Sequence, residues 1–330
     1  MVKIATRDKR AKGRTRSPNR YLSATPRGRL AVRVWNNRTI YFLIIPIMVM
    51  FVIFNYIPMA GIFMAFNDFK LNRGFMGIFT SPWVGLKHFN RLFGNPYIFK
   101  VLFNTLSLSL LKLVFVFPAP IIFAILLNEL KNLRFKRVIQ TITYLPNFLS
   151  AVVVVGLVQG LLSPTYGIVN AIRDALGLNT IHYLASANYF RGILVGADLW
   201  KSFGWGAIVY LAAITSIDSE LYEAAMIDGA GRFRRIWHIT LPGMKSVIAL
   251  YLILNIGYIL SASFDMVFLL KSDSVMSVAD TVELYAYRMG MQGSSYSFGA
   301  AIGLFQGVVG LILVSLSNFA AKKMDTPGIW

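Results

Sequence analysis

Residues 218–242 read DSELYEAAMIDGAGRFRRIWHITLP, and this stretch decides how the rest of the chain is interpreted. Asp218 or Ser219 can cap a helix at its N-terminus. The acidic residues that follow fall in the first turns of that helix, where they favour the positive end of the helix dipole. Gly229 and Gly231 then break the helix. One short helix followed by a turn is therefore predicted.

A second helix is expected after the turn. It begins within residues 232–238, and Pro242 is expected to terminate it, because proline lacks the amide hydrogen that continues a helix. Between the two glycines and the cap, Ala224 and Ala225 are small enough to let another surface approach closely. The stretch is thus predicted to be a helix–turn–helix that receives a partner.

Composition places this loop in a membrane protein. The chain has 330 residues, of which 56% are hydrophobic and only 14% charged, whereas soluble domains average roughly 45–50% and 25%. The net charge of +19 would ordinarily suggest a nucleic-acid partner, but so apolar a chain indicates a bilayer first. Because there is no cysteine and the three histidines lie far apart, neither a disulfide framework nor a metal site is expected.

Six apolar stretches are long enough to cross a bilayer, which takes about 20 residues of helix. The fold class predicted is an all-α membrane protein with six transmembrane helices. The spans are expected at residues 41–66, 98–127, 138–162, 192–217, 246–269 and 297–320.

The basic residues predict the orientation of these spans. Residues 1–38 contain 12 Lys and Arg and a single acid, and this segment is expected to be a disordered cytoplasmic tail rather than a nucleic-acid arm or a cleaved signal. With the tail inside, 22 of the 33 basic residues lie on the inner side. Both termini are then cytoplasmic, residues 39–330 form the membrane domain, and the loop 218–242 faces the cytoplasm.

Three outer loops follow from this arrangement, at residues 67–97, 163–191 and 270–296. None is large enough for a separate domain. They are interpreted either as an outer rim that docks an external partner or as simple connections between spans.

The inner loop carries a specific resemblance. Glu-Ala-Ala, three residues, Gly, nine residues and Ile-x-Leu-Pro form a spacing that resembles the EAA loop of permease subunits of binding-protein-dependent ABC importers. The resemblance implies a type I importer permease whose loop docks on a cytoplasmic ATPase and transmits its closure. The coupling residues that it implies are Glu223, Ala224, Ala225, Asp228, Gly229, Ile239, Leu241 and Pro242.

Further motifs resemble the maltose-transporter-related, carbohydrate-uptake branch of these permeases, and within it the first permease subunit of an alginate importer. Besides residues 222–230, they are Ser81-Pro-Trp-Val-Gly85, Asn104-Thr105, Tyr144-Leu-Pro146, Trp200-Lys201, Leu211-Ala212-Ala213 and Gly328-Ile-Trp330.

The resemblance also implies partners: a second, homologous permease, two cytoplasmic ATPase subunits, an extracytoplasmic solute-binding protein and a saccharide, but no nucleic acid. No phosphate-binding loop occurs, since residues 243–246 are only a fragment of one. We therefore expect no catalysis and no cofactor in this chain, with ATP and magnesium on the partner ATPase. The expected location is the inner membrane.

Polar residues inside the predicted spans are candidates for the substrate pathway, because such residues usually face a cavity or a partner. At 100° per residue, those of the fifth span form one stripe, together with Ala262. The set comprises Lys112, Asp198, Lys201, Trp205, Tyr251, Asn255, Tyr258 and Asp265.

Aromatic faces beside hydrogen-bonding groups suit a sugar, and Lys112 and Lys201 could offset the charge of an acidic one. The alternative is plain helix–helix bonding, in which Asp198 and Lys201 neutralise each other and Lys112 snorkels to an interface.

Two other classes remain open from sequence alone. A six-helix secondary transporter would need no ATPase but commonly shows an internal duplication, which is not visible here. An intramembrane protease would need paired catalytic residues in the spans. All three histidines lie in predicted loops, and Asp198 and Asp265 belong to no recognisable motif.

Overall fold

The computed structural model describes residues 35–323 and 328–329, and the chain divides into two compact units at Ala60 and Gly61. Most of the predicted tail, up to residue 34, lies outside the described residues. In the first unit, α1 (Arg38–Phe51) passes through a π-helical turn at Val52–Tyr56 into a last helical turn at Ile57–Met59.

In the second unit, the main elements are all helical, and the described residues contain no strand beyond one isolated bridge between Asn67 and Trp83. The α-helices of six or more residues are α2 (Lys87–Phe93), α3 (Tyr97–Phe115), α4 (Pro118–Asn128), α5 (Leu133–Tyr144), α6 (Ala151–Leu162), α7 (Ile168–Ala175), α8 (Ala187–Thr215), α9 (Ser219–Ile227), α10 (Leu241–Gly257), α11 (Phe264–Leu270), α12 (Val282–Tyr287) and α13 (Tyr296–Lys323).

Short α-helical turns and several 3-10 and π turns connect these elements. Three α-helical turns lie at Gly77–Thr80, Arg232–Arg235 and Met276–Ala279; 3-10 turns lie at Ala60–Phe66, Leu71–Met76, Leu145–Phe148, Tyr183–Ala185 and Asp273–Val275; π turns lie at Ile236–Thr240 and Arg288–Gln292.

Length and hydropathy identify four helical runs that could cross a membrane, or five if one bent pair forms a single span. The four are Arg38–Phe66, Tyr97–Asn128, Arg232–Gly257 and Tyr296–Lys323. The 29-residue helix α8 is about 43 Å long at 1.5 Å per residue. It is not among these runs, and Asp198 and Lys201 lower its hydropathy. The membrane architecture is thus all-helical with four or five apolar spans, fewer than the six predicted.

The span predicted over 138–162 is not one continuous helix. The run Leu133–Phe148 and the helix α6 meet at an angle of 103°. The break has a local cause, because the Ser150 side chain caps α6 by accepting a hydrogen bond from the Val153 amide at 3.3 Å. Pro146, in the turn before it, removes one amide from the helical ladder.

The span predicted over 246–269 is also interrupted. The helix α10 ends at Gly257, and α11 begins only after Ser263, which has φ of 55°. A left-handed residue cannot lie inside a right-handed helix. The stripe from Tyr251 to Asp265 therefore does not lie on one helical face: Tyr258 and Ala262 belong to an irregular segment at residues 258–263, and Asp265 belongs to α11.

Pro242 does not terminate the second helix of the loop, contrary to prediction. It lies in the first turn of α10, where a missing amide is tolerated. The π turn before it gives the Leu241 amide a bond to the Ile236 carbonyl, five residues back, so the ladder is shifted just ahead of the proline. Pro58 follows a π turn of the same kind.

Residues 270–296 are not a simple outer rim, because much of the segment is part of the core. Val275, Val282 and Leu284 are completely buried, and Ala279 is almost completely so. Val275, Ala279 and Leu284 pack with α6, α8 and α11, while Val282 packs with Phe298 of α13. The segment is thus inserted between the long helices.

The close packing of α5 against α8 depends on one glycine. A Cβ at Gly204 would lie 2.1 Å from the Thr143 carbonyl oxygen, which no side chain could tolerate. On its other side α8 packs against α4 and α10, through a cluster that includes Ala124, Ala207 and Met244. This packing holds the polar residues of α8 in place.

Candidate coupling loop and polar pathway

The loop 218–242 forms a capped helix followed by a left-handed turn. Asp218 Oδ1 accepts a hydrogen bond from the Glu220 amide at 3.0 Å. At the other end, Gly229 has φ of 74°. The Ala230 amide bonds to the Ala225 carbonyl at 2.8 Å, and the Gly229 amide bonds to the Met226 carbonyl at 3.1 Å. These two bonds form a Schellman motif, which satisfies the last carbonyls of the helix.

One side of the loop contacts neighbouring helices, and its other side is exposed. The Tyr222 hydroxyl lies 3.0 Å from Thr240 Oγ1, which joins α9 to the following helix. The Arg232 guanidinium approaches Glu129 at 4.0 Å. By contrast, large apolar side chains of the loop project into solvent: Ile227 is 87% and Phe233 90% exposed. Exposed apolar groups on a braced element are typical of a docking surface.

The predicted coupling residues divide between these two faces. Glu223, Ala224, Asp228, Gly229 and Pro242 are exposed, whereas Ala225, Ile239 and Leu241 are half-buried. The described chain therefore presents an acidic and small-residue surface beside apolar Met226 and Trp237, which are also exposed. Such a surface can fit into a groove on a second protein.

An ion pair joins three separate elements inside the helical bundle. Lys112 Nζ of α3 lies 2.8 Å from Asp198 Oδ2 of α8, and both side chains are mostly buried. The Ser263 hydroxyl donates to the same carboxylate oxygen at 2.7 Å, and Lys112 donates to Ser263. The break between α10 and α11 brings this serine into place.

The alternative in which Asp198 neutralises Lys201 is wrong. Although the two residues lie three apart on α8, Lys201 Nζ donates instead to the Asn147 carbonyl at 3.1 Å. That carbonyl is available because the run that contains it bends before α6. Lys112 is likewise paired rather than snorkelling.

Two cavities flank the Lys112–Asp198 pair. One, of about 170 Å³, is lined by residues that include Lys112, Asn255 and Tyr258. The other, of about 340 Å³, is lined by residues that include Asp198, Lys201 and Asp265. Six of the eight predicted pathway residues therefore line these two adjoining spaces, and Ser261 lines both.

The remaining two predicted pathway residues lie apart from the cavities. The Trp205 ring packs edge-on against Phe148, with 5.2 Å between centroids. Tyr251 packs on Tyr210 at 5.7 Å, beside the apolar cluster between α4 and α8. Trp205 is 45% exposed, so it remains available to a ligand, whereas Tyr251 is half-buried and takes part in helix packing.

Sequence reasoning missed several polar groups of this region, above all Glu283. Its Oε1 accepts hydrogen bonds from the Ser261 hydroxyl and, at 3.4 Å, from Gln306 Nε2. Its Oε2 is buried and makes no hydrogen bond within the described part of the chain. Glu283 falls in the predicted outer loop 270–296, and the sequence signal for a buried position is the apolar run around it at residues 282–287.

The family of the chain follows from comparison with known proteins. Residues 116–326 match the model of a family described as the binding-protein-dependent transport system inner membrane component. The chain belongs to this family. As a family member it is an inner-membrane component of a transport system, which decides against both the secondary transporter and the intramembrane protease. The predicted resemblance of the chain to permeases of binding-protein-dependent importers is thereby confirmed.

Individual relatives agree with this membership. The polygalacturonan/rhamnogalacturonan transport system permease protein YteP of Bacillus subtilis (strain 168) is 44% identical over 304 residues, which cover 92% of this chain and 94% of YteP. A solved chain from a bacterial ABC transporter involved in the import of the acidic polysaccharide alginate is 38% identical. Its TM-score is 0.81, and the match covers 89% of this chain and 99% of that chain.

A second solved chain comes from a bacterial alginate ABC transporter in complex with an alginate pentasaccharide-bound periplasmic protein. It is 37% identical, with a TM-score of 0.81, and the match covers 91% of this chain and all of that one. Because the TM-score to both solved chains is 0.81, this chain has the type I ABC permease fold.

Proposed function

We propose that this chain is one of two homologous permease subunits in an ATP-driven importer of acidic oligo- or polysaccharides. A solute-binding protein outside the membrane delivers the saccharide. The similarity to YteP and to alginate importers supports this substrate class, because polygalacturonan and alginate are both polymers of uronic acids. The two polysaccharides differ, but both are built from sugars that bear a carboxylate.

The observation that carries the coupling role is the exposed, braced loop. Two cytoplasmic ATPase subunits hold ATP and magnesium, and one of them receives α9 with Ala224 and Ala225 at the contact. Ile227 and Phe233 lose most of their exposure there, and each buried large apolar side chain contributes about 1.5–3 kcal/mol. Closure of the ATPases then moves α10, because the π turn at Ile236–Thr240 joins it directly to the loop.

For this coupling the loop must face the cytoplasm. We assign six spans to the domain 39–330, with the tail 1–38 and the C-terminus inside. The span that completes the six is α8, which the hydropathy criterion misses. It can cross the membrane despite its charged residues because Asp198 is paired inside the bundle rather than exposed to lipid. Charged side chains in spans usually face the interior in this way.

The pathway passes the two cavities beside the ion pair. Since Asp198 already pairs with Lys112, Lys201 is the cation in the larger cavity that can meet a substrate carboxylate; it contacts a backbone carbonyl rather than an acid. Tyr258, which lines the smaller cavity, offers an aromatic face to the apolar faces of the sugar rings, and Trp205, exposed outside the two cavities, offers a second one.

Uptake by the reconstituted importer tests this proposal. The complex is purified through a tag on this chain, placed in vesicles and supplied with ATP and the solute-binding protein. Trigalacturonate is expected to enter and maltotriose is not. Lys201→Gln is expected to reduce trigalacturonate uptake, whereas Lys100→Gln, which removes an exposed lysine of α3, serves as the control. Equal entry of both sugars would refute the substrate class.

A further inference from the structure

A third cavity lies away from the ion pair, between residues 68–91 and residues 294–298, and its volume is about 410 Å³. Three cationic side chains line it, those of Lys70, Lys87 and Arg91, against the single carboxylate of Asp68. Its charge is therefore positive by two even when the neighbouring histidine is neutral. The size lies within the 300–1,000 Å³ range of small-molecule sites.

Only part of this positive charge is neutralised. Asp68 is bound by Lys87 at 2.7 Å and approached by His88 at 3.2 Å. Lys70 forms no ion pair with any acid in the described residues. Arg91 is also without a carboxylate there and lies over the Phe298 ring, 4.4 Å from its centroid. Two cations thus remain for an anionic ligand.

The cavity walls are held by hydrogen bonds. The buried Ser297 hydroxyl accepts from the Phe69 amide at 2.9 Å, which ties the two segments together. The Ser81 hydroxyl accepts from the Lys70 amide at 3.4 Å. Further hydroxyl groups of the wall, those of Ser294 and Ser295, suit the hydroxyls of a sugar.

We infer that this cavity binds the carboxylate of a uronic acid residue of the substrate before the saccharide enters the membrane pathway. Residues 68–91 follow the first span. Residues 294–298 lead into the last span, whose helix begins at Tyr296. The cavity therefore lies on the outer side if the N-terminus is cytoplasmic. The inference rests on the proposed function for that orientation and for the acidic saccharide.

Equilibrium binding to the complete importer in nanodiscs, without its solute-binding protein, tests the inference. The probes are trigalacturonate and its methyl ester, which keeps the shape but loses the charge. A unit charge about 4 Å away in water contributes about 1 kcal/mol, a factor of about five. Lys70→Gln is therefore expected to weaken trigalacturonate binding about fivefold, and Lys70→Gln with Arg91→Gln about 25-fold.

Two further variants sharpen the test. Asp68→Asn removes the one acid of the cavity and is expected to tighten trigalacturonate binding, an effect opposite to that of the lysine change. Lys100→Gln, an exposed lysine outside the cavity, is expected to change nothing. Binding of the methyl ester should be nearly constant across the series. If Arg91→Gln disturbs the ring contact and the fold, Lys70→Gln and Asp68→Asn still decide.

Three results would overturn the inference. One is unchanged trigalacturonate binding in the Lys70 variant. Another is an equal loss for the acid and its ester, which would indicate recognition without charge. The third comes from adding the empty solute-binding protein to the same nanodiscs: weakened binding of that protein with trigalacturonate binding intact would make the cavity a protein-docking site. Failure of the proposed function is separate, because it appears in the uptake assay of the wild-type importer, as absent entry of trigalacturonate or as equal entry of trigalacturonate and maltotriose.

Discussion

The Lys112–Asp198 pair gives the sharpest quantitative prediction, because its two charges lie on different helices. The side chains are only 23% and 15% exposed, respectively. Removal of one partner of a buried pair leaves the other charge uncompensated, at a cost of about 3–5 kcal/mol. The Ser263 hydroxyl can still bind whichever charge remains. We therefore expect Lys112→Gln and Asp198→Asn each to lower the free energy of unfolding by about 3 kcal/mol, the lower end of the range.

The double variant is expected to lose less than the sum of the two single losses. With both charges gone, no uncompensated charge remains, so the double-mutant cycle should return a coupling energy of about 2 kcal/mol. Chemical unfolding in detergent, followed by the fluorescence of the six tryptophans, measures all four proteins. Lys100→Gln on the exposed face of α3 provides the control. Strictly additive losses would refute the ion pair as a stabilising contact.

Three other perturbations have defined outcomes. Gly204→Ala forces a Cβ onto the Thr143 carbonyl and should destabilise the chain by about 1–3 kcal/mol; Gly303→Ala, with open space around it, should not, and equal thermal stabilities would contradict this packing. The pKa of Asp68 is lowered from its ordinary 3.8, chiefly by the Lys87 hydrogen bond. The stabilisation that Asp68 contributes is therefore complete only above about pH 5 and is lost as the pH falls through the lowered pKa; a thermal-unfolding series in acid should show a smaller decline for Asp68→Asn, and parallel curves would argue against it. In the cysteine-free chain, Ser219→Cys should react with impermeant reagent only from the cytoplasmic side, and external labelling would reverse the topology.

The coupling loop was predictable because its determinants are local. A capping Asp218, a glycine at 229 and a continuous run of helix formers between them specify the helix and its end without reference to the rest of the chain. What failed there was the role of Pro242. A proline can begin a helix as well as end one, and the π turn that decides between the two is not visible in the sequence.

The polar pathway was predictable by residue type but not by partner. Lys112 and Asp198 are distant in sequence, and their pairing depends on how α3 and α8 pack. The break after Gly257 contains no proline, and its left-handed residue is a serine. The hydropathy of the sequence therefore gives no sign that the helix is interrupted. Glu283 was placed outside because its segment is short and polar at both ends, although tertiary packing buries most of it.

The central claim is that this loop transmits ATP hydrolysis to transport, and the ratio of the two rates measures it most directly. In vesicles that contain the complete importer, ATP hydrolysis and trigalacturonate uptake are recorded together for wild type, Gly229→Asp and Gly303→Ala. Only glycine readily adopts the φ of 74° found at Gly229. The account predicts that Gly229→Asp loses most uptake while the ATPases stay bound and hydrolyse ATP, and that Gly303→Ala keeps the wild-type ratio. Normal uptake per ATP in the Gly229 variant would contradict it.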